Sequence, residues 1–222
     1  MEEYQDHSLG GRVFQKIRED ILNGKYKEND ELRENTIGKE LGVSRTPVRE
    51  AVIQLSEESR IIQIFPQRGM RIALIDVELV EEARFLRLLL EKAAVELVCG
   101  MACEDDLNWL DENIRLQEFY LEGGSPEKLL ELDNEMHKKL FSICRKELTY
   151  NMCQRLAIHY DRIRSLSVTT VKDYKIIGEH RELLDAIRSK DTKRAVETMD
   201  RHLNNWMLNE KLFREQYPQY FK

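Results

Sequence analysis

Cysteine is scarce and poorly spaced for metal work. The 222-residue chain has four, Cys99, Cys103, Cys144 and Cys153, and no two stand in a CxxC spacing. That matches no tight zinc pattern, and in a reducing compartment such thiols are expected as small buried apolar residues. No apolar run approaches the ~20 residues of a membrane span. The opening residues, Met1-Glu2-Glu3-Tyr4-Gln5-Asp6, lack a signal peptide's apolar stretch, so a cytoplasmic protein is the expectation. Net positive charge is missing too: 35 Lys/Arg face 41 Asp/Glu, a formal charge of -6. Residues 1–75 hold 12 Lys/Arg against 13 Asp/Glu, a net of -1, so any nucleic-acid binding rests on local placement of cations. Repeats and low-complexity segments are absent. What remains is a soluble globular composition, 41% hydrophobic and 34% charged, with room for one large or two modest domains.

The most informative stretch is Ser44-Arg45-Thr46-Pro47-Val48-Arg49-Glu50. It follows a short helical pattern ending at Leu41-Gly42-Val43. Gly42 suits a tight turn, Ser44 suits an N-cap, and Pro47 falls in the first helical turn, where a missing N–H costs little. Val48, Val52 and Leu55 form an apolar stripe, leaving Arg45, Thr46 and Arg49 at the helix start or on its other face. This pattern predicts a helix-turn-helix whose second helix presents its N-terminal residues to base edges and phosphates. Upstream, Phe14, Ile17, Ile21 and Leu22 mark an amphipathic helix. Downstream, Ile61–Phe65 and Met70–Leu74 read as strands joined by Pro66-Gln67-Arg68-Gly69, a wing with Arg68 and Gly69 at its tip. Lys39, Arg45, Arg49, Arg68 and Arg71 are the cations available for one DNA-facing surface.

These residues resemble the GntR family of transcription regulators. The resemblance runs from Ile17 to Ile72, and the run LGVSRTPVREA is its most specific part. It departs at Asn29-Asp30, where the family usually has Pro-Gly, at Ile37-Gly38, where it prefers Leu-Ala, and at Ser59-Arg60, where Gly is common. Asn35 stands at an often basic position.

After Asp76, a candidate N-cap, the helical period takes over. Six helices are expected, at roughly 77–99, 104–122, 126–143, 147–167, 172–189 and 192–215, broken by Gly100, Gly123-Gly124-Ser125-Pro126, Arg145-Lys146 and Lys190-Asp191. The fold class is mainly α: a winged helix-turn-helix domain over 8–75, then an antiparallel all-α bundle over 76–222. Polar residues interrupt the apolar stripes. Asp133 and His137, four apart, share a helix face with Leu129, Met136 and Leu140; His180 sits among Ile176, Leu183 and Leu184; His202 sits among Ala195, Met199 and Leu203. His180 lies ten residues before Lys190 and His202 eleven after Asp191. At ~1.5 Å per residue both are roughly 15 Å from the same turn. Buried ionisable groups need partners or a metal. One carboxylate and three imidazoles suit Zn²⁺ first, with Ni²⁺ or Mn²⁺ as alternatives.

This half resembles the FCD effector domain of the FadR subgroup, in its shorter VanR-like branch. The resemblance assigns the metal to Asp133, His137, His180 and His202. Arg87, in Arg87-x3-Glu91, reads either as a surface arginine paired with Glu91 or Glu82 or as a fork for an effector carboxylate, which the family pattern favours; Arg162 is a second choice. His159 is expected in the core, Trp109 and Trp206 as packing residues, Tyr174 over the cavity, and His7 in a loose tail. The resulting expectation is a ligand-responsive regulator, a repressor, that holds a divalent metal and a small organic acid. A reading helix covers few base pairs, so a homodimer on a palindromic operator follows. The alternatives are a metal-dependent hydrolase and a metal-free dimerisation module. No general base accompanies the ligands, which counts against the hydrolase.

Overall fold

A computed structural model describes residues 8–170, 174–204 and 210–222. The chain divides into two compact units, one running up to Leu79 together with Tyr217–Lys222, the other spanning Val80–Gln216. His7 and Trp206 lie outside the described residues, as does the side chain of Tyr174.

The first unit holds α1 (Leu9–Leu22), β1 (Glu31–Leu32), α2 (Glu34–Leu41), α3 (Arg45–Ser59), β2 (Ile62–Phe65) and β3 (Gly69–Ile72). Ser8 starts α1, its hydroxyl accepting from the Gly11 N–H at 3.0 Å. Val13, Ile17 and Ile21 bury one face of α1 beside Val48, Val52 and Leu55 of α3. The wing is antiparallel, with Ile62 opposite Ile72 and Phe65 opposite Gly69. A third strand was not expected: β1 pairs with β3, giving the order β1-β3-β2. At two residues it is too short to announce itself by alternation.

The family departures have structural consequences. Asn29 adopts a left-handed φ of 66°, a conformation that Asn tolerates better than most residues. Arg60 closes α3 at φ 56°. That position favours glycine, which has no Cβ to strain there. Arg60→Gly is expected to stabilise this unit by about 1 kcal/mol, read as a higher denaturant midpoint at unchanged slope.

The last residues return to this unit. The Ile75 N–H donates to the Tyr220 carbonyl at 2.7 Å and the Lys222 N–H to the Ile75 carbonyl at 3.0 Å. Phe221 is buried, and Lys222 Nζ lies 2.9 Å from Asp76.

The remaining elements are α4 (Val77–Met101), α5 (Glu104–Gly123), α6 (Pro126–Ile143), α7 (Glu147–Thr170), α8 (Tyr174–Arg188), α9 (Thr192–Asn204) and α10 (Glu210–Gln216). Asp76 caps α4 by accepting from the Glu78 N–H at 3.1 Å. Gly100 does not end α4, contrary to expectation; the helix runs on to Met101. A mid-helix glycine costs only ~1 kcal/mol, and burial of Val95, Val98 and Cys99 outweighs it. Pro126 opens α6 as foreseen, although the Ser125 hydroxyl makes no cap bond. Three cysteines are buried, but Cys103 is exposed at the start of α5, where its N–H donates to Asp106 at 3.1 Å. The core is a continuous apolar cluster including Val95, Ile114, Met136, Leu140, Leu184 and Met199. No described helix is long and apolar enough to cross a membrane.

Candidate metal centre and nucleic-acid interface

The helix-turn-helix forms where its residues dictate. Gly42 takes φ 65° and caps α2, its N–H reaching the Gly38 and Lys39 carbonyls. Gly38 belongs to the same turn: a Cβ there would meet the Val43 carbonyl at 3.0 Å. Ser44 occupies the N-cap of α3 in extended conformation, without a side-chain bond to the helix. Arg45, Thr46 and Arg49 are exposed, while Pro47 and Val48 face the core. Arg45 pairs through Nε with Glu34 at the start of α2. This partner, eleven residues away, has no periodic relation that a sequence pattern reveals.

The wing tip is a turn in which the Phe65 carbonyl accepts from the Arg68 N–H at 3.0 Å. Pro66 leads it, Gln67 takes φ 62° and Gly69 φ 98°. Arg68 and Gly69 are exposed, as are Lys39 and Arg71, whose guanidinium donates to Asn29 at 3.3 Å. The unit thus offers an α-helix start and a turn tip carrying cations to solvent, the two features that reach a major groove and an adjacent groove or backbone.

In the second unit four side chains converge. Asp133 and His137 project from α6, His180 from α8 and His202 from α9; one donor atom from each lies within 4.8 Å of the others. His180 Nε2 is 3.2 Å from Asp133 Oδ1, His137 Nε2 is 3.8 Å from Asp133 Oδ2, and the Nε2 atoms of His137 and His202 are 3.3 Å apart. Donors ~2.1 Å from a shared tetrahedral centre would stand about 3.4 Å apart, so these spacings fit a metal.

Hydrogen bonding fixes which nitrogen faces inward. Asn113 Nδ2 donates to the Leu132 carbonyl at 3.1 Å, an acceptor whose identity is unambiguous. Asn113 Oδ1 must then accept from Gln117 Nε2, 2.7 Å away. Gln117 Oε1 is left to accept from His180 Nδ1–H at 2.8 Å, so the bare Nε2 of His180 points at Asp133. The other two rings are set in the same way: His137 Nδ1 lies against the Glu91 carboxylate, and His202 Nδ1 donates to Glu179 at 3.2 Å. Three outer acceptors therefore aim three Nε2 lone pairs at one carboxylate, the arrangement that orients metal-bound imidazoles. Asp133 Oδ1 and His180 Nε2 are buried and have no hydrogen-bond partner among the described residues. Such facing acceptors repel each other unless a cation lies between them.

Electrostatics agrees. Burial draws His180 down to about 3, with the neighbouring His137 adding to the effect. Burial likewise takes His202 to about 3 against the opposing pull of Glu179. Both rings are neutral near pH 7, the form that could ligate a metal. Burial pushes the Glu91 carboxyl up, but Arg87 and His137 outweigh it and hold the group below the usual carboxylate range.

The arginines are partly redistributed. Arg87 is buried, which removes its surface reading; it donates to Glu91 at 2.7 Å and its guanidinium carbon stands 5.0 Å over the Tyr160 ring. Its Nη1 is buried without a hydrogen-bond partner among the described residues. Arg162 is buried on α7, but the arginine that reaches Asp133 is Arg164. Sequence reasoning did not single out Arg164, because spacing alone does not say which residues of α7 reach Asp133. The polar pair Asn113 and Gln117, four apart on an otherwise apolar face with Leu110, Ile114 and Leu121, was a readable signal of the outer acceptor on α5. His159 is buried as expected, and Trp109 packs half-buried at the core edge under Lys139.

Comparison with known proteins follows the same division. Residues 9–72 match the family model of bacterial regulatory proteins of the gntR family, and residues 82–205 match the FCD domain. The HTH-type transcriptional repressor RspR of Escherichia coli K12 is 26% identical over 211 residues, covering 95% of this chain and 92% of that protein. The HTH-type transcriptional repressor GlaR of the same organism is 24% identical, covering 88% of this chain and 92% of its own. Among solved structures, E. coli McbR/YncC aligns with a TM-score of 0.81 at 20% identity, over 95% of this chain and 99% of that one. A GntR regulator from Rhodococcus sp. RHA1 aligns with a TM-score of 0.73 at 21% identity, over 88% and 94%. The family models and the two named repressors are those of transcription regulators, so the hydrolase reading falls. The chain belongs to the GntR family of bacterial transcription regulators and carries a winged helix-turn-helix head joined to an FCD domain.

Proposed function

We propose that this protein is a cytoplasmic, homodimeric repressor of the FadR subgroup whose bundle holds Zn²⁺ and a small organic acid, and whose heads grip a palindromic operator. The observation that carries the sensor half is the inward aim of three Nε2 lone pairs at Asp133, each ring pinned from behind by Gln117, Glu91 or Glu179. Asp133, His137, His180 and His202 would hold the ion, which supplies a Lewis-acidic anchor for a carboxylate. The buried, unpartnered Nη1 of Arg87 supports an anion beside it.

On the DNA side, Arg45 and Arg49 would meet guanine edges or phosphates, Ser44 and Thr46 the backbone, and Arg68 with Gly69 the flanking groove. Two heads related by symmetry require two inverted half-sites. Repression is the sign carried by the names of RspR and GlaR. An acid that binds one arrangement of the heads more tightly than the other changes occupancy, and a few kcal/mol of difference is enough.

The test is selection of duplexes from a random pool by the full-length protein, followed by release with a panel of organic acids in the presence of Zn²⁺. An enriched inverted repeat, freed by at least one acid, is the expected result. Enrichment of a single half-site would contradict the dimeric reading, and release that persists without metal would contradict the metal-anchored one.

A further inference from the structure

We infer that Arg164 is a built-in counter-cation for Asp133 that metal binding must displace. This rests on the metal reading above. Asp133 is buried, and a buried carboxylate without a positive partner is costly. The imidazole atoms nearest it are bare Nε2 acceptors, because the Nδ1 protons are spent on Gln117, Glu91 and Glu179. Among the described residues, the fixed positive charge that touches Asp133 is the Nη2 end of Arg164.

The other end of that guanidinium is tethered. Arg164 Nη1 donates to Asp161 at 2.8 Å, one turn back on α7, and to Asn134 at 2.7 Å on α6. Arg164 is therefore shared between two carboxylates, Asp133 and Asp161. With Asp133 given over to a divalent ion, the guanidinium would stay held by Asp161 and Asn134 and its Nη2 would lose its carboxylate partner. Metal affinity is thus set in part by an arginine that never touches the ion, and Asp161 acts on the metal only through that arginine.

The experiment is Zn²⁺ affinity of the full chain, by competition with a chromophoric chelator and with no organic acid added. Arg164→Gln is expected to bind Zn²⁺ about tenfold more tightly, because Asp133 no longer has a competing cation. Asp161→Asn is expected to bind it several-fold more weakly, because Arg164 then leans wholly on Asp133. Opposite signs distinguish both from general loss of packing, which weakens binding in each case. In the Arg164→Gln background, Asp161→Asn is expected to have no further effect; additive effects would mean through-space charge alone and would overturn the inference. Unchanged or weaker binding by Arg164→Gln overturns it as well. Failure of the parent protein to bind Zn²⁺ would instead sink the metal reading, and this inference with it.

Discussion

His180→Ala is expected to empty the bundle of metal and lower its melting temperature by about 5–10 °C. A ligand present at a hundred times its Kd stabilises the folded state by ~2.7 kcal/mol, and a domain of this size shifts by roughly 2–4 °C per kcal/mol. His180 is 1% exposed, so the alanine also leaves a cavity and strips Gln117 of its donor, costs that have nothing to do with metal. Melting with and without chelator separates the two. The parent should lose several degrees on chelation, while the variant, already low, should not respond. Equal zinc content in variant and parent would remove His180 from the ligand set.

Arg49→Ala carries the second large effect. Loss of a bidentate base contact is worth about 1–3 kcal/mol, so operator affinity should fall between several-fold and about a hundredfold, with relaxed preference at one base pair. If the contact is instead to phosphate, affinity falls evenly across sequences and the salt dependence loses about one charge. Arg49 is exposed on α3 and takes no part in the buried stripe of Val48, Val52 and Leu55, so the melting temperature should stay put. Operator affinity equal to the parent's would take Arg49 out of the interface. Arg45 is a less clean probe, because removing it also frees the Glu34 carboxylate that it now neutralises.

What sequence reasoning could and could not reach follows from physics. Local rules act within a few residues, and they sufficed for the turn at Gly42, the proline in the first turn of α3 and the opening of α6 at Pro126. Helical period assigned Asp133, His137, His180 and His202 to inward faces, and the common distance from the Lys190 turn put His180 and His202 at one level. Period cannot say how one helix is rotated against another. It therefore missed Glu91 on α4 and Glu179 on α8 as the groups behind His137 and His202, and Arg164 on α7 as the cation beside Asp133. β1 and the return of Tyr217–Lys222 to Ile75 depend on contacts made across long stretches of chain, for which neither composition nor spacing carries a mark.

The most direct test is X-ray diffraction from crystals of the full chain purified with Zn²⁺, with data taken on both sides of the zinc absorption edge. A single strong anomalous peak is predicted at ~2.0–2.2 Å from the Nε2 atoms of His137, His180 and His202 and from an Asp133 oxygen. Zinc located elsewhere, or those four side chains ordered and hydrogen-bonded with no anomalous peak among them, would contradict the account.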